Sequence, residues 1–273
     1  MKTLLFILFA FTLILYACKD NPTVIEPPVS NTGYKKVMDA VSGSTKFEIY
    51  KNGSENLTFG YNEIGFKVFL DNQEQTSGFV KFTPRLYDNV PTPGWVCQSA
   101  PVSSRFERDA NGYFIGYANF IKATSSPFTW YGFFNYNDQA NADSVVFNVN
   151  ASSQAQLLSF RGPSPDTNWY CITLISPFTP KYGLNEFKCM LHTSADQTGY
   201  TEVENAEMII WPWMPSMNHG SSSNINPTYS GKGVYTGRVN LVMSGGWEVY
   251  DTVRVSGNTV TPIPTPKFIF DCP

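Results

Sequence analysis

Two short stretches of the chain recur at the same distance. Ile64–Asn72, IGFKVFLDN, lines up with Asn185–Thr193, NEFKCMLHT, and Asn111–Phe120, NGYFIGYANF, lines up with Lys232–Leu241, KGVYTGRVNL, both 121 residues on. Two separate matches at one spacing are what a tandem duplication leaves and what chance seldom produces. The chain is therefore expected to carry one fold twice. The joint is expected at Phe160–Trp169, FRGPSPDTNW, where Gly and Pro punctuate the sequence.

Local pattern decides what each copy is. In the second, Tyr235, Val239, Leu241 and Met243 share one parity while Thr236, Arg238 and Asn240 take the other. That is a strand with one buried face. Aromatic residues make up 15% of the chain and charged residues only 15%, and no long stretch keeps a 3.6-residue period. Several short alternating segments per copy, bounded by turn residues, imply an all-β chain. The expected architecture is two tandem immunoglobulin-like β-sandwiches, over residues 34–160 and 161–273.

Ahead of them the N-terminus reads MKTLLFILFAFTLILYACKD, with a basic Lys2, an apolar run from Leu4 to Leu15 and a small Ala17 before Cys18. The run is too short to span about 30 Å of hydrocarbon at about 1.5 Å per residue, so residues 1–17 are expected to be an export signal. Leu15-Tyr16-Ala17-Cys18 resembles a bacterial lipobox, which implies cleavage before Cys18 and a lipid on its sulfur. Lys19, where Asp would retain an inner-membrane lipoprotein, points to the outer membrane, facing either the periplasm or the cell surface. Residues 18–33, polar and Pro-rich, are expected to be a tether. The net charge of −3 and the lack of a basic patch argue against a nucleic-acid partner.

The second copy holds an unusual segment, Trp211–Ser222, WPWMPSMNHGSS. Apart from Met1 and Met38 every methionine (Met190, Met208, Met214, Met217, Met243) lies in the second copy, as do both histidines, His192 and His219. The aligned part of the first copy, Tyr87–Pro101, has neither residue type. Thioether sulfur is a soft neutral donor that favours Cu(I), and imidazole suits copper in either oxidation state. Met214, Met217 and His219 are therefore candidate copper ligands, with Met208, or Met190 and His192, as possible further donors. Against this, Met is a common core filler. Met208, at the head of an apolar run, and Met243, by strand parity, are expected to pack. Taken alone, His192 is expected to lie on the surface.

MPSMNHG followed by GKGVYTGRVNLVMSGGWEV resembles the YtkA-like and FixH-like domains, whose pattern is Met-Pro-x-Met-x-His-Gly, a Gly-x-Tyr strand and a Met-Gly-x-Trp turn. The resemblance covers residues 168–255. Asn218 stands where the family has Gly, and the turn carries one extra residue. It implies a small extracytoplasmic β-sandwich and, by analogy with copper-carrier sandwiches, a role in copper handling with a copper-donating or copper-receiving protein as partner.

Once Cys18 is set aside, Cys97, Cys171, Cys189 and Cys272 remain, and four cysteines allow three pairings. Cys171 and Cys189, on the first two strands of the second copy, are candidates to bridge, and Cys272 to pin the last strand. No G-x-S-x-G, H-E-x-x-H, P-loop or dinucleotide motif is present, and the carboxylates of LDNQEQ (70–75) and TEVENAE (201–207) read as solvated surface, so an enzyme is not expected. The alternative to copper handling is an interaction or adhesion module without metal, using Pro91–Trp95 and Trp211–Pro215 as aromatic contact loops.

Overall fold

Alternating apolar and polar residues become strands throughout. A computed structural model describes residues 33–89, 97–139 and 143–273, and these are all β, with no helix among them. The expected export signal, Cys18, the tether up to residue 32 and the Pro91–Trp95 loop lie outside the described residues.

In the second half two antiparallel sheets face each other. One runs Leu157–Arg161, Trp169–Ser176, Gly183–Ser194, Val234–Leu241, Ile225–Gly231, and the other runs His219–Gly220, Glu207–Met214, Gly245–Val255, Asn258–Thr259, with Lys267–Cys272 also on Gly245–Val255. Phe187, Cys189, Leu191, Tyr235, Val239 and Leu241 from the first sheet meet Met208, Ile210, Trp247, Val249, Val253 and Phe268 from the second. Burial of each such side chain contributes roughly 1.5–3 kcal/mol on area grounds. Tyr235 keeps its hydroxyl satisfied inside this core by donating to the Val203 carbonyl at 2.8 Å and accepting from the Ala206 amide at 2.9 Å. Tyr235, Val239 and Leu241 are buried as expected, but the strand stops at Leu241. Met243 belongs to the turn that follows.

In the first half the two layers are wings of one sheet. The short strand Phe106–Arg108 pairs with Phe114–Ile115 on one side and Phe79–Val80 on the other, joining them into one ladder. The ladder bends around aromatic rings, with Phe82 stacked on Phe134 at 5.0 Å and Phe106 edge-on to Phe66 at 4.9 Å.

The halves share one device in detail. Asn62 donates to the carbonyls of Thr58 and Gly60 and accepts from the Thr58 amide; Asn185 does the same with Lys181 and Gly183. Gly60 and Gly183 both sit at positive φ, +82° and +87°, which glycine adopts without Cβ strain. Gly60 pairs with Phe120 and Gly183 with Leu241. Structurally equivalent residues on this strand are therefore 123 apart (183 against 60), not the 121 of the sequence match. A slip of two leaves every side chain on its face, so the pattern of buried residues survived the misalignment.

Candidate functional site

The hairpin Met214–His219 closes one end of the second sandwich. Its turn is held by Met217 N–H to the Met214 carbonyl at 3.2 Å and Asn218 N–H to the Pro215 carbonyl at 3.3 Å. Asn218 has φ +53°. Asn tolerates the left-handed region better than any other residue with a Cβ, which accounts for its standing where the family pattern has Gly. Gly220 is needed for close approach, since a Cβ there would lie 3.2 Å from both the Pro212 carbonyl oxygen and Trp211 Nε1.

His219 is the direct cross-strand partner of Met214, and such partners share a face. That face is the inner one: Met214 is 1% exposed in the core, and the His219 ring stands edge-on to fully buried Trp247 at 5.7 Å. Trp247 Nε1 donates to the Met243 carbonyl at 2.9 Å, pinning the turn that presents Met243. The Met243 sulfur then lies 3.1 Å from His219 Nε2, and Met243 is 36% exposed. The expectation that Met243 packs by parity is corrected here, because the strand ends before it. Met217 projects from the hairpin tip, 55% exposed, and Met208 lies in the core as expected.

Proton accounting gives this contact its meaning. His219 Nδ1 lies 2.7 Å from the Gly220 carbonyl, so Nδ1 carries the proton and donates. In the neutral ring Nε2 is then a lone pair facing a thioether, whereas in the protonated ring Nε2 would donate to the sulfur. Two donors facing each other in this way suit a shared soft cation. Bonds of about 2.0 Å to nitrogen and about 2.3 Å to sulfur would place the ion with the two donors at roughly 90°. The donor set therefore fits copper.

A second polar group lies where the halves meet. His192 is 1% exposed, which corrects the surface expectation. Its strand has both faces covered, one by the sandwich core and the other by the first half. Its Nε2 is 2.8 Å from Tyr117 Oη, and Tyr117 donates to Glu202 Oε1 at 2.7 Å. Glu202 is thus tied in rather than merely solvated. Burial alone drives the His192 pKa down to about 3, and its Nδ1 has no partner. Met190 is turned the same way and accepts from Asn119 Nδ2 at 3.7 Å. Met190 and His192 therefore face the first half rather than joining the loop.

All four described cysteines are free. Cys171 pairs with His192 and Cys189 with Leu174, two positions of opposite parity on neighbouring strands. Cys171 and Cys189 thus point to opposite faces of one sheet, which rules out this candidate bridge. Burial pushes the Cys171 thiol up to about 12. Asp251, fully buried in the sandwich core, has no hydrogen-bond partner at either carboxylate oxygen, and burial raises its pKa far above the carboxylate range.

Among the described residues no three His, Cys, Asp or Glu side chains gather at one point. The donors brought together here include thioethers. Trp211, 52% exposed, with Trp213 at 5.1 Å and Tyr250 at 5.6 Å, forms an aromatic outer face beside the loop.

Residues 166–251 match the family model described as YtkA-like, in agreement with the resemblance drawn from the loop and turn. No curated protein matches the chain. Among solved structures, domains 5–6 of the S-layer protein SbsC match at 10% identity over 87% of this chain and 98% of that one, with a TM-score of 0.28, too low to argue from.

Proposed function

We propose that the YtkA-like half binds Cu(I) at its hairpin end, with His219 and Met243 as first donors and Met214 and Met217 as the thioethers beside them. The observation that carries this is the 3.1 Å approach of two metal-ligating atoms, His219 Nε2 and Met243 Sδ. Gly220 and Trp247 act as positioning residues. The Gly220 carbonyl sets the imidazole tautomer, and the Trp247 indole holds the Met243 turn. Exposed Met217 stands at the hairpin tip, where an ion would be handed on, and buried Met214 supplies an inner wall.

In this reading the chain is a non-enzymatic copper carrier of the outer membrane. Its lipid anchor is at Cys18, its partner is a copper-donating or copper-receiving protein, and its two sandwiches divide near residue 160. The support for the anchor is the N-terminal sequence alone.

A competition titration of Cu(I) against a chelator tests the loop. The full chain should take up one tightly bound equivalent more than the variant Met217→Leu, His219→Ala, Met243→Leu. Equal uptake by both proteins would remove the loop from consideration. The second reading, a metal-free contact module, is favoured by the exposed Trp211 beside Trp213 and Tyr250. It predicts that Trp211→Ala weakens capture of a protein or glycan and leaves copper binding unchanged.

A further inference from the structure

We propose a second Cu(I) site, buried where the two halves meet, with Cys171 Sγ, His192 Nδ1 and Met190 Sδ as its ligands. It involves none of the hairpin donors and does not depend on the reading of that loop.

The ladder places the three ligands. Cys171 pairs with His192 and Thr173 with Met190, so all four side chains lie on one face of the sheet, opposite Ile172, Leu174, Cys189 and Leu191. On a lone sandwich that face would meet water. Here Cys171 and Thr173 are fully buried and Met190 and His192 are 1% exposed, and the first half reaches them through Tyr117 and Asn119. Direct cross-strand Cβ atoms lie about 4.5–5.5 Å apart and diagonal ones within about 8 Å, distances that side chains of these lengths close to bonds of about 2.0–2.3 Å.

Proton accounting leaves one nitrogen open. The single hydroxyl proton of Tyr117 goes to the Glu202 carboxylate, so His192 Nε2 must be the donor to Tyr117 Oη. His192 Nδ1 is then an unprotonated lone pair, fully buried and without a partner. Glu202 flanks His192 on one side of the ladder and Cys171 on the other. Tyr117 holds Nε2 toward Glu202, and Cys171 is the ladder neighbour of His192 on the other side, on the same face of the sheet. A neutral imidazole whose second nitrogen donates to an anchored hydroxyl is the arrangement in which histidine binds metals. The Cys171 thiol meets only Thr173 Oγ1, at 3.6 Å, and the Met190 sulfur retains a lone pair beyond its contact with Asn119.

Charge selects the ion. Two sulfurs and one imidazole suit Cu(I). Binding takes one proton from the thiol and admits one positive charge, so the net charge of the buried site does not change. A divalent ion would leave an uncompensated charge there, which is costly away from water. A cleft of about 520 Å³ between the halves reaches Met190, and Tyr117 and Glu202 line it too.

The test uses the full chain and Cu(I) with a competing chelator. With both sites present, wild type should take up two equivalents, and the hairpin variant Met217→Leu, His219→Ala, Met243→Leu should keep one. Adding Cys171→Ser should abolish that one, and adding His192→Gln should weaken it at least tenfold. The retained ion should also leave to excess chelator at least tenfold more slowly than the hairpin's ion. Near-ultraviolet circular dichroism checks folding, and if Cys171→Ser does not fold, Met190→Leu and His192→Gln decide. A folded hairpin variant that binds no Cu(I), or one whose remaining equivalent ignores both added substitutions, overturns the buried site. In either case the hairpin reading is judged separately, by the equivalent lost between wild type and the hairpin variant.

Discussion

His219 Nε2 and Met243 Sδ stand 3.1 Å apart at the end of the second sandwich, brought together from positions 24 residues apart in the chain. The imidazole comes from a two-residue strand and the thioether from a turn pinned by Trp247. In the neutral tautomer set by the Gly220 carbonyl neither atom carries a proton, so the contact is then no hydrogen bond. The hairpin is fixed by its own backbone bonds and the turn by the Trp247 indole.

The hairpin's shape depends on one residue in the left-handed region. Asn218 holds φ +53°. Asn218→Gly should leave thermal stability within about 0.5 kcal/mol, whereas Asn218→Val should cost about 1–2 kcal/mol, since a β-branched residue is strained there. Thermal unfolding of both variants measures this, and equal stabilities would contradict the turn geometry.

Tyr117 links the halves through one hydroxyl. Tyr117→Phe should leave His192 Nε2 and Glu202 without their partner and destabilise the chain by about 1–3 kcal/mol. Urea unfolding followed by tryptophan fluorescence reports the loss, and a change under about 0.5 kcal/mol would mean that the bridge contributes nothing.

Asp251 sets a pH dependence. Its folded pKa is raised by burial, so the folded chain holds the carboxyl proton to higher pH than the unfolded chain does. The stabilising preference for the protonated acid is fully present below an unfolded pKa of about 3.9 and is lost as pH rises from there toward the folded pKa. Asp251→Asn should therefore match wild type near pH 3.5 and exceed it increasingly toward pH 7. Denaturant midpoints across that range check the sign; parallel curves would show the carboxyl to be paired.

Thiol chemistry checks the cysteine assignment. Among the four described cysteines only Cys97 is partly exposed, and none is bridged. A thiol reagent should titrate Cys97 quickly in the native chain and Cys171, Cys189 and Cys272 only after unfolding. A yield two thiols short in denaturant without reductant would reveal a disulfide.

Much of the fold was legible because a strand's period of two is written locally. Tyr235, Val239 and Leu241 reported their buried face directly, and a two-residue error in aligning Gly183–Ser194 with Gly60–Leu70 cost nothing, since parity survives an even slip. What parity cannot report is where a strand stops or what covers its outer face. Met243 was carried past the end of its strand and read as packing. His192 and Met190 lie on the strand face opposite the core, where His192 alone reads as surface, yet the first half buries that side as well. Cys171 and Cys189 show a related limit, since alternation within each strand leaves open how two strands are registered. Met214, Met217 and His219 were visible as soft donors. Met243, which the fold sets beside His219, was read only as packing, although the Trp247 turn in the same motif is what positions it.

Copper K-edge X-ray absorption of a one-to-one Cu(I) complex of the Cys171→Ser chain tests the central claim most directly. An ion on the hairpin would show one nitrogen at about 2.0 Å and sulfur at about 2.3 Å, with the sulfur signal reduced by Met243→Leu. A first shell of light atoms only, or one indifferent to Met243 and His219, would contradict it.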